Sequence, residues 1–225
     1  MSDFVVFGTR PDNAIYLPDV PFSVRFNCKD GGGGLFIGGS DPQHRRTNPE
    51  DKVDINIIKV SKWFGSLGKT QNVLWIQIFF IPAPGVALEI LPKNTVCVGY
   101  LKKQSIANLF NTVQTAMNCG EPALGIFTLG FNKESGAAGS YYTVSFNWRE
   151  RQADEELQQL ELIKAFIESY RERLVDLEGT RELVCVDGWS AEQIQALLVE
   201  VKQEVYLEEP PALPERKQRR LSGSR

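Results

Sequence analysis

Histidine is nearly absent from this chain: His44 is the only one in 225 residues. Any triad built on an imidazole base would rest on that one side chain, and no GxSxG elbow supplies a nucleophile. The four cysteines, Cys28, Cys97, Cys119 and Cys185, lie far apart with no CxxC pair. That spacing argues against a zinc ribbon and against a disulfide framework, and the residues read as buried, reduced thiols. Long apolar runs are missing as well. The longest, Val73 to Ile81, is interrupted by Gln77 and falls far short of the roughly 20 residues that span a bilayer. The opening segment MSDFVVFGTRPDN has neither a basic region nor a long apolar stretch, so it does not read as a signal peptide. These absences together predict a soluble, cytoplasmic, non-enzymatic protein with no membrane partner, no metal and no cofactor.

Other motifs fail on inspection. Gly68-Lys69-Thr70 matches the end of a P-loop, but Trp63 stands where the motif needs its first glycine, and a strand rather than a helix follows. The run Gly31 to Gly34 has no clear helix start behind it and reads as a flexible, glycine-linked hairpin region. Asp51 and Asp54 flank Lys52 at the start of a strand, a poor setting for a cation site. His44-Arg45-Arg46 reads as a polar loop or a phosphate contact. The cluster Arg149-Glu150-Arg151 joins the last strand of the β-rich part to a helix, and salt bridges fixing the two parts are expected there.

What is present is a run of strands with one helix inserted. Pro21 to Cys28 alternates in part. Val53 to Val60, Val73 to Ile81 and Thr95 to Leu101 are rich in branched and aromatic residues. Trp63-Phe64 is expected in a loop before the Gly68–Thr70 turn. Between Gln104 and Asn118, Ile106, Leu109, Phe110, Val113 and Met117 recur at spacings of three and four, which predicts an amphipathic helix with Ser105 as its N-cap and Gly120 near its end. Gly125 to Phe131 and Tyr142 to Trp148 alternate strictly and predict a hairpin across the polar loop NKESGAAGS. After Trp148 the period turns helical, with Leu157, Leu160, Ile163, Ile167 and Tyr170 on one stripe. Leu183 to Val186 suggests a short strand, and Ser190 an N-cap for a further helix. The predicted division is therefore a β-rich domain over 1–148, a helical segment over 149–208 and a disordered basic tail over 209–225. The fold class is α+β.

The formal net charge is −3, yet its distribution is uneven. Lys52 to Gly120 carries seven basic residues (Lys52, Lys59, Lys62, Lys69, Lys93, Lys102, Lys103) against Asp54 and Glu89 alone. Acidic residues concentrate after Arg151.

The order of elements, several strands, one helix and a final hairpin, resembles the OB-fold of single-stranded-DNA-binding proteins over residues 20 to 148. The resemblance implies a basic groove with aromatic side chains on which bases stack. The residues that would supply it are Trp63 and Phe64 with Lys59, Lys62 and Lys69, then Tyr100 with Lys102 and Lys103, then Tyr141 with Lys133. The chain departs from the family at its end: instead of an acidic partner-recruiting tail it carries the basic stretch Arg216 to Arg220. The implied partner is single-stranded DNA or RNA. A second reading, from the long C-terminal amphipathic helices, is a structural module that forms homo-oligomers.

Overall fold

The computed structural model describes residues 14–137, 139–170 and 182–207. The predicted basic tail therefore lies outside the described residues. The chain divides into two units, the first ending at Asp187 and the second beginning at Gly188. In chain order the first contains β1 (Phe22–Ser23), β2 (Arg25–Phe26), β3 (Leu35–Phe36), β4 (Val53–Leu67), β5 (Thr70–Pro82), β6 (Cys97–Lys102), α1 (Gln104–Met117), β7 (Ile126–Gly136), β8 (Gly139–Arg149), α2 (Asp154–Tyr170) and β9 (Glu182–Cys185). The second contains α3 (Ala191–Leu207). Ser190 opens it as a capping box: its Oγ accepts from the Gln193 amide, and Gln193 Oε1 accepts from the Ser190 amide.

The architecture is α+β, with a mixed seven-stranded sheet in the order β1-β6-β5-β4-β7-β8 and β9 on the remaining edge of β4. The spine is the β4–β5 hairpin, closed by the two-residue turn Gly68-Lys69, in which Gly68 takes the positive φ that such turns demand. Irregular register near Ile57 and again near Gly65 bends β4. A bent strand can serve two neighbours, and β4 does so. Val53–Ile55 pair with β7, whereas Trp63–Ser66 pair with β9. Trp63 and Phe64 are thus strand residues, not loop residues.

β5 explains its near-continuous apolar sequence by being covered on both faces. Ile76, Ile78 and Phe80 join the larger core with Leu101, Leu109, Leu129, Phe131, Val144 and Phe146. Phe79 and Ile81 face the other way, onto Val96, Val98 and the α2 residues Ile163 and Phe166. Burying a side chain of this size contributes about 1.5–3 kcal/mol.

β6 and β8 form no ladder with each other, so the sheet stays open. The inner edge of β8 is met instead by α1 and by Cys28. Ser105 Oγ accepts from the Val144 amide, Asn108 Nδ2 donates to the Val144 carbonyl, and Thr112 Oγ1 donates to the Phe146 carbonyl. The Cys28 carbonyl accepts from the Tyr142 amide. Ser105 is therefore not the N-cap of α1. Lys103 holds that position with φ near 50° and makes no side-chain capping bond. The hairpin strands β7 and β8 also run on through most of the expected polar loop, to a pairing of Gly136 with Gly139.

The glycine-rich region is an ordered hairpin of β2 and β3. The Arg45 guanidinium donates to the carbonyls of Gly31, Gly32 and Gly33 at 3.1–3.2 Å and lies over the Phe36 ring. Asp54 accepts from Thr128 and from Arg149, so its carboxylate is engaged. Two thiols, Cys119 and Cys185, are exposed rather than buried.

The buried face of α2 is one position off the apolar stripe read from sequence. It consists of Glu156, Gln159, Ile163 and Phe166, while Leu157 and Tyr170 are exposed. Two polar residues are buried because each has fixed partners. Glu156 pairs with Arg149 at 2.7 Å, and Arg149 reaches Asp54 at the same distance. Gln159 bonds Asn56, Asn94 and the Pro82 carbonyl. Arg151 bonds Asn56 Oδ1 and the carbonyls of Leu124, Gly125 and Glu156. The hydrogen bonds from Arg149 hold the Glu156 carboxyl at about 2, well below its ordinary 4.5. The salt bridges expected around Arg149 are present and tie α2 to the sheet. Among the described residues, no helix is long and apolar enough to cross a membrane.

Candidate nucleic-acid interface

The turn that leaves β5's hairpin, the end of β6 and the segment 25–29 surround a cleft of about 670 Å³. Its charged lining is Arg25, Lys29, Lys69 and Lys102, and its aromatic lining includes Phe26, Phe36, Trp75 and Tyr100. A second cleft of about 550 Å³ lies between the start of α1 and the β7–β8 turn, lined by Lys102, Lys103, Tyr141 and Tyr142 among others. Cys28, Lys102 and Ser105 line both, so the two meet at a shared wall. Among the described residues, no Asp or Glu lines either cleft.

Cross-strand register sets Trp75, Tyr100 and Lys102, which line the first cleft, beside Trp63, Ser61 and Gln77, which do not. Trp75 stands opposite Trp63 on β4 and opposite Lys102 on β6; Gln77 stands opposite Ser61 and Tyr100. These residues share one face of the pleat. A hydrogen-bond chain crosses it, from Trp63 Nε1 to Gln77 Oε1 at 3.1 Å and from Gln77 Nε2 to the Tyr100 hydroxyl at 2.7 Å. Trp75 meets Tyr100 edge-on, its Nε1 donates to the Gly65 carbonyl, and the Lys102 ammonium sits 5.5 Å from its ring centre. Lys102 Nζ also donates to Thr70 Oγ1 at 2.8 Å. Burial, then the neighbouring charge of Lys103, pulls the Lys102 pKa down; Cys28 opposes this, and Lys29 and Arg25 add weaker downward effects. Burial raises the Cys28 thiol, which is thereby held protonated and unreactive.

No family model, no curated protein and no solved structure matches this chain. The site must be read from its own geometry.

The residues picked out from sequence separate into two groups. Lys69, Tyr100, Lys102, Lys103 and Tyr141 come together around the two clefts. Lys59, Lys62, Trp63, Phe64 and Lys133 do not line them. Phe64 is buried at 6% exposure and offers no surface for a base. Lys59 lies against the Phe79 ring. Trp63 is half-buried on the cleft's face, with its indole N–H committed to Gln77. Lys62 lies where the 186–187 segment docks, its backbone bonding Val186 and Asp187. Lys133 is exposed opposite Tyr142, and the ladder partner of Tyr141 is Glu134, so Lys133 and Tyr141 are not cross-strand neighbours.

Arg25 and Lys29 were not anticipated. They precede the basic stretch in sequence and are carried to it by the parallel pairing of β1 with β6 and by the β2–β3 hairpin. Their signal was present in Arg25-Phe26-Asn27-Cys28-Lys29, two basic residues close to an aromatic.

Proposed function

We propose that this protein binds single-stranded nucleic acid, DNA or RNA, without catalysing a reaction, along the two clefts that meet at Lys102. The observation that carries this reading is the charge of their lining. Among the described residues, five cations, Arg25, Lys29, Lys69, Lys102 and Lys103, and no carboxylate line the clefts of a chain whose net charge is −3. Such segregation favours a polyanion through counterion release, and the flanking Tyr100 and Tyr141 add faces on which bases stack.

An OB-like reading of the domain supports the same ligand. β4, β5 and β6 form a meander, α1 follows, and the β7–β8 hairpin returns to β4. OB-folds bind oligonucleotides on their second and third strands, between the turns that follow the first and the fourth. The equivalent places here are β5 and β6, the turn at Gly68-Lys69 and the turn after Gly136. The inner edge of β8 is closed by α1 side chains instead of by a strand.

The test is a titration of the full chain into a labelled oligothymidylate. With four to five phosphate contacts on a single strand the logarithmic salt slope is about −3, so raising salt from about 50 to about 200 mM weakens binding roughly 50-fold. Absence of binding to both DNA and RNA at the lower salt would overturn the proposal. The second reading, self-association, draws on the apolar side chains that α2 leaves exposed, Leu157 and Tyr170. A light-scattering mass equal to one chain across a wide concentration range would eliminate it.

A further inference from the structure

We propose that the wall shared by the two clefts is a phosphate subsite, in which Lys102 holds one phosphodiester of the bound strand and Lys103, Lys29 and Arg25 set the field around it. The proposal rests on the nucleic-acid reading above and names the residue on which that binding turns.

Three observations converge. First, among the described residues Lys102 is the only charged side chain that lines both clefts, so a strand running from one to the other passes it. Secondly, the side chain is already positioned. Its ammonium sits over Trp75 at 5.5 Å and donates once, to Thr70 Oγ1 at 2.8 Å. An ammonium has three donors, which leaves donors for an anion. A side chain fixed in the free protein loses little rotamer freedom on binding, where a mobile surface lysine loses up to about 2 kcal/mol.

Thirdly, the charged side chains around it are cations. Arg25 comes from β2, Lys29 from the turn behind it and Lys103 from the start of α1; the other titratable neighbour is the Cys28 thiol, which burial keeps neutral. Among the described residues none of these four cations is in an ion pair. Like charges gathered without a counter-charge oppose the compact state, and an anion at their centre removes that penalty. Lys59 makes the same kind of contact with a ring, over Phe79, but lines neither cleft. The contrast separates a lysine that covers apolar surface from one set to receive a ligand.

The experiment compares the full chain with Lys102→Met, which keeps the packing of the stem over Trp75 and removes the charge, and with Lys133→Met as a control outside the clefts. For oligothymidylate at about 50 mM salt, Lys102→Met should bind about tenfold more weakly and lose about 0.7 from its salt slope. Lys133→Met should match the wild type. Sodium tripolyphosphate, which has phosphates and no bases, should displace the oligonucleotide from the wild type and alter its tryptophan emission through Trp75. If Lys102→Met binds DNA with unchanged affinity and slope, the subsite is wrong while the nucleic-acid reading stands. If the wild type binds tripolyphosphate through Lys102 but no nucleic acid, the subsite stands and the reading of its ligand falls. Should the variant fail to fold, the tripolyphosphate titration of the wild type decides: no competition and no change in emission would overturn the subsite.

Discussion

The two ends of the sheet treat charge in opposite ways. At the end covered by α2, Arg149 is met by Asp54 and Glu156, Arg151 by Asn56 and three carbonyls, and Gln159 by three partners. At the other end, Arg25, Lys29, Lys69, Lys102 and Lys103 gather around clefts that, among the described residues, no carboxylate lines. A polar group that serves the fold must find its partner within the protein, because a half-satisfied buried network is costly. Cations that serve an external ligand must be left available to it. The same residue types, arginine and lysine, can therefore be sorted into structural and binding roles by what faces them.

The sharpest break of that comparison is at Arg149. Arg149→Ala leaves Asp54 and Glu156 without their shared cation, and Glu156 is buried at 7% exposure. The loss of a buried pair's partner costs 3–5 kcal/mol. Arg149's side chain is 36% exposed, and solvent reduces the figure to about 2–3 kcal/mol. Urea denaturation should show this loss, while oligonucleotide affinity stays within a factor of about two. An equal fall in affinity at full folding would mean that the two ends act as one.

Acid should weaken the same end selectively. The Glu156 carboxyl is held at about 2 in the folded chain against 4.5 ordinarily. A depressed carboxyl stabilises the fold fully above its ordinary value and loses that contribution as pH falls toward its folded value. Stability should thus decline between about pH 4.5 and 2. Glu156→Gln should start less stable and lack this component of the decline. An unaltered acid limb in that variant would assign the titration to other groups.

At the cationic end, Lys102→Met with Lys103→Met should take about 1.4 from the magnitude of the salt slope and leave the urea midpoint nearly unchanged. Binding should also weaken on the alkaline side. The Lys102 pKa lies below the ordinary 10.5, so its ammonium is lost at a lower pH than that of a surface lysine. Wild-type affinity should begin to fall before pH 10.5, and the Lys102→Met profile should lack that step. A matching profile in both would show that Lys102 carries none of the dependence.

These distinctions were only partly legible in the sequence. The β7–β8 alternation reflects one buried face, and the hairpin formed with strands longer than read; α1 formed over the expected residues, but Lys103 holds its N-cap and Phe110 and Met117 of the expected stripe are exposed. α2 was harder, because Glu156 and Gln159 occupy its inner face and a hydrophobic stripe cannot announce buried polar residues whose partners are Arg149, Asn56, Asn94 and the Pro82 carbonyl. Trp63 and Phe64 were misplaced in a loop because the bend that lets β4 continue depends on pairing with two different strands. Of the site, Lys102 and Tyr100 were visible as a basic pair beside an aromatic. Arg25 and Lys29 were not, since only tertiary pairing brings residues 25–29 beside residues 100–105.

The smallest expected effect falls on Tyr141. It is 40% exposed, lines the second cleft and lies next to the β7–β8 turn. Its neighbour in sequence, Tyr142, is packed against the core and bonds the Cys28 carbonyl through its backbone. Stacking of one base on an aromatic ring contributes roughly 1–3 kcal/mol, and a ring at the mouth of a cleft belongs at the lower end. Tyr141→Ala should therefore weaken oligonucleotide binding about fivefold with no change in salt slope, because no charge is removed. Tyr141→Phe should bind as the wild type does, since the ring and not the hydroxyl provides the stacking surface. If alanine and phenylalanine weaken binding equally, the hydroxyl makes the contact, and the second cleft reads its ligand by hydrogen bonds rather than by stacking.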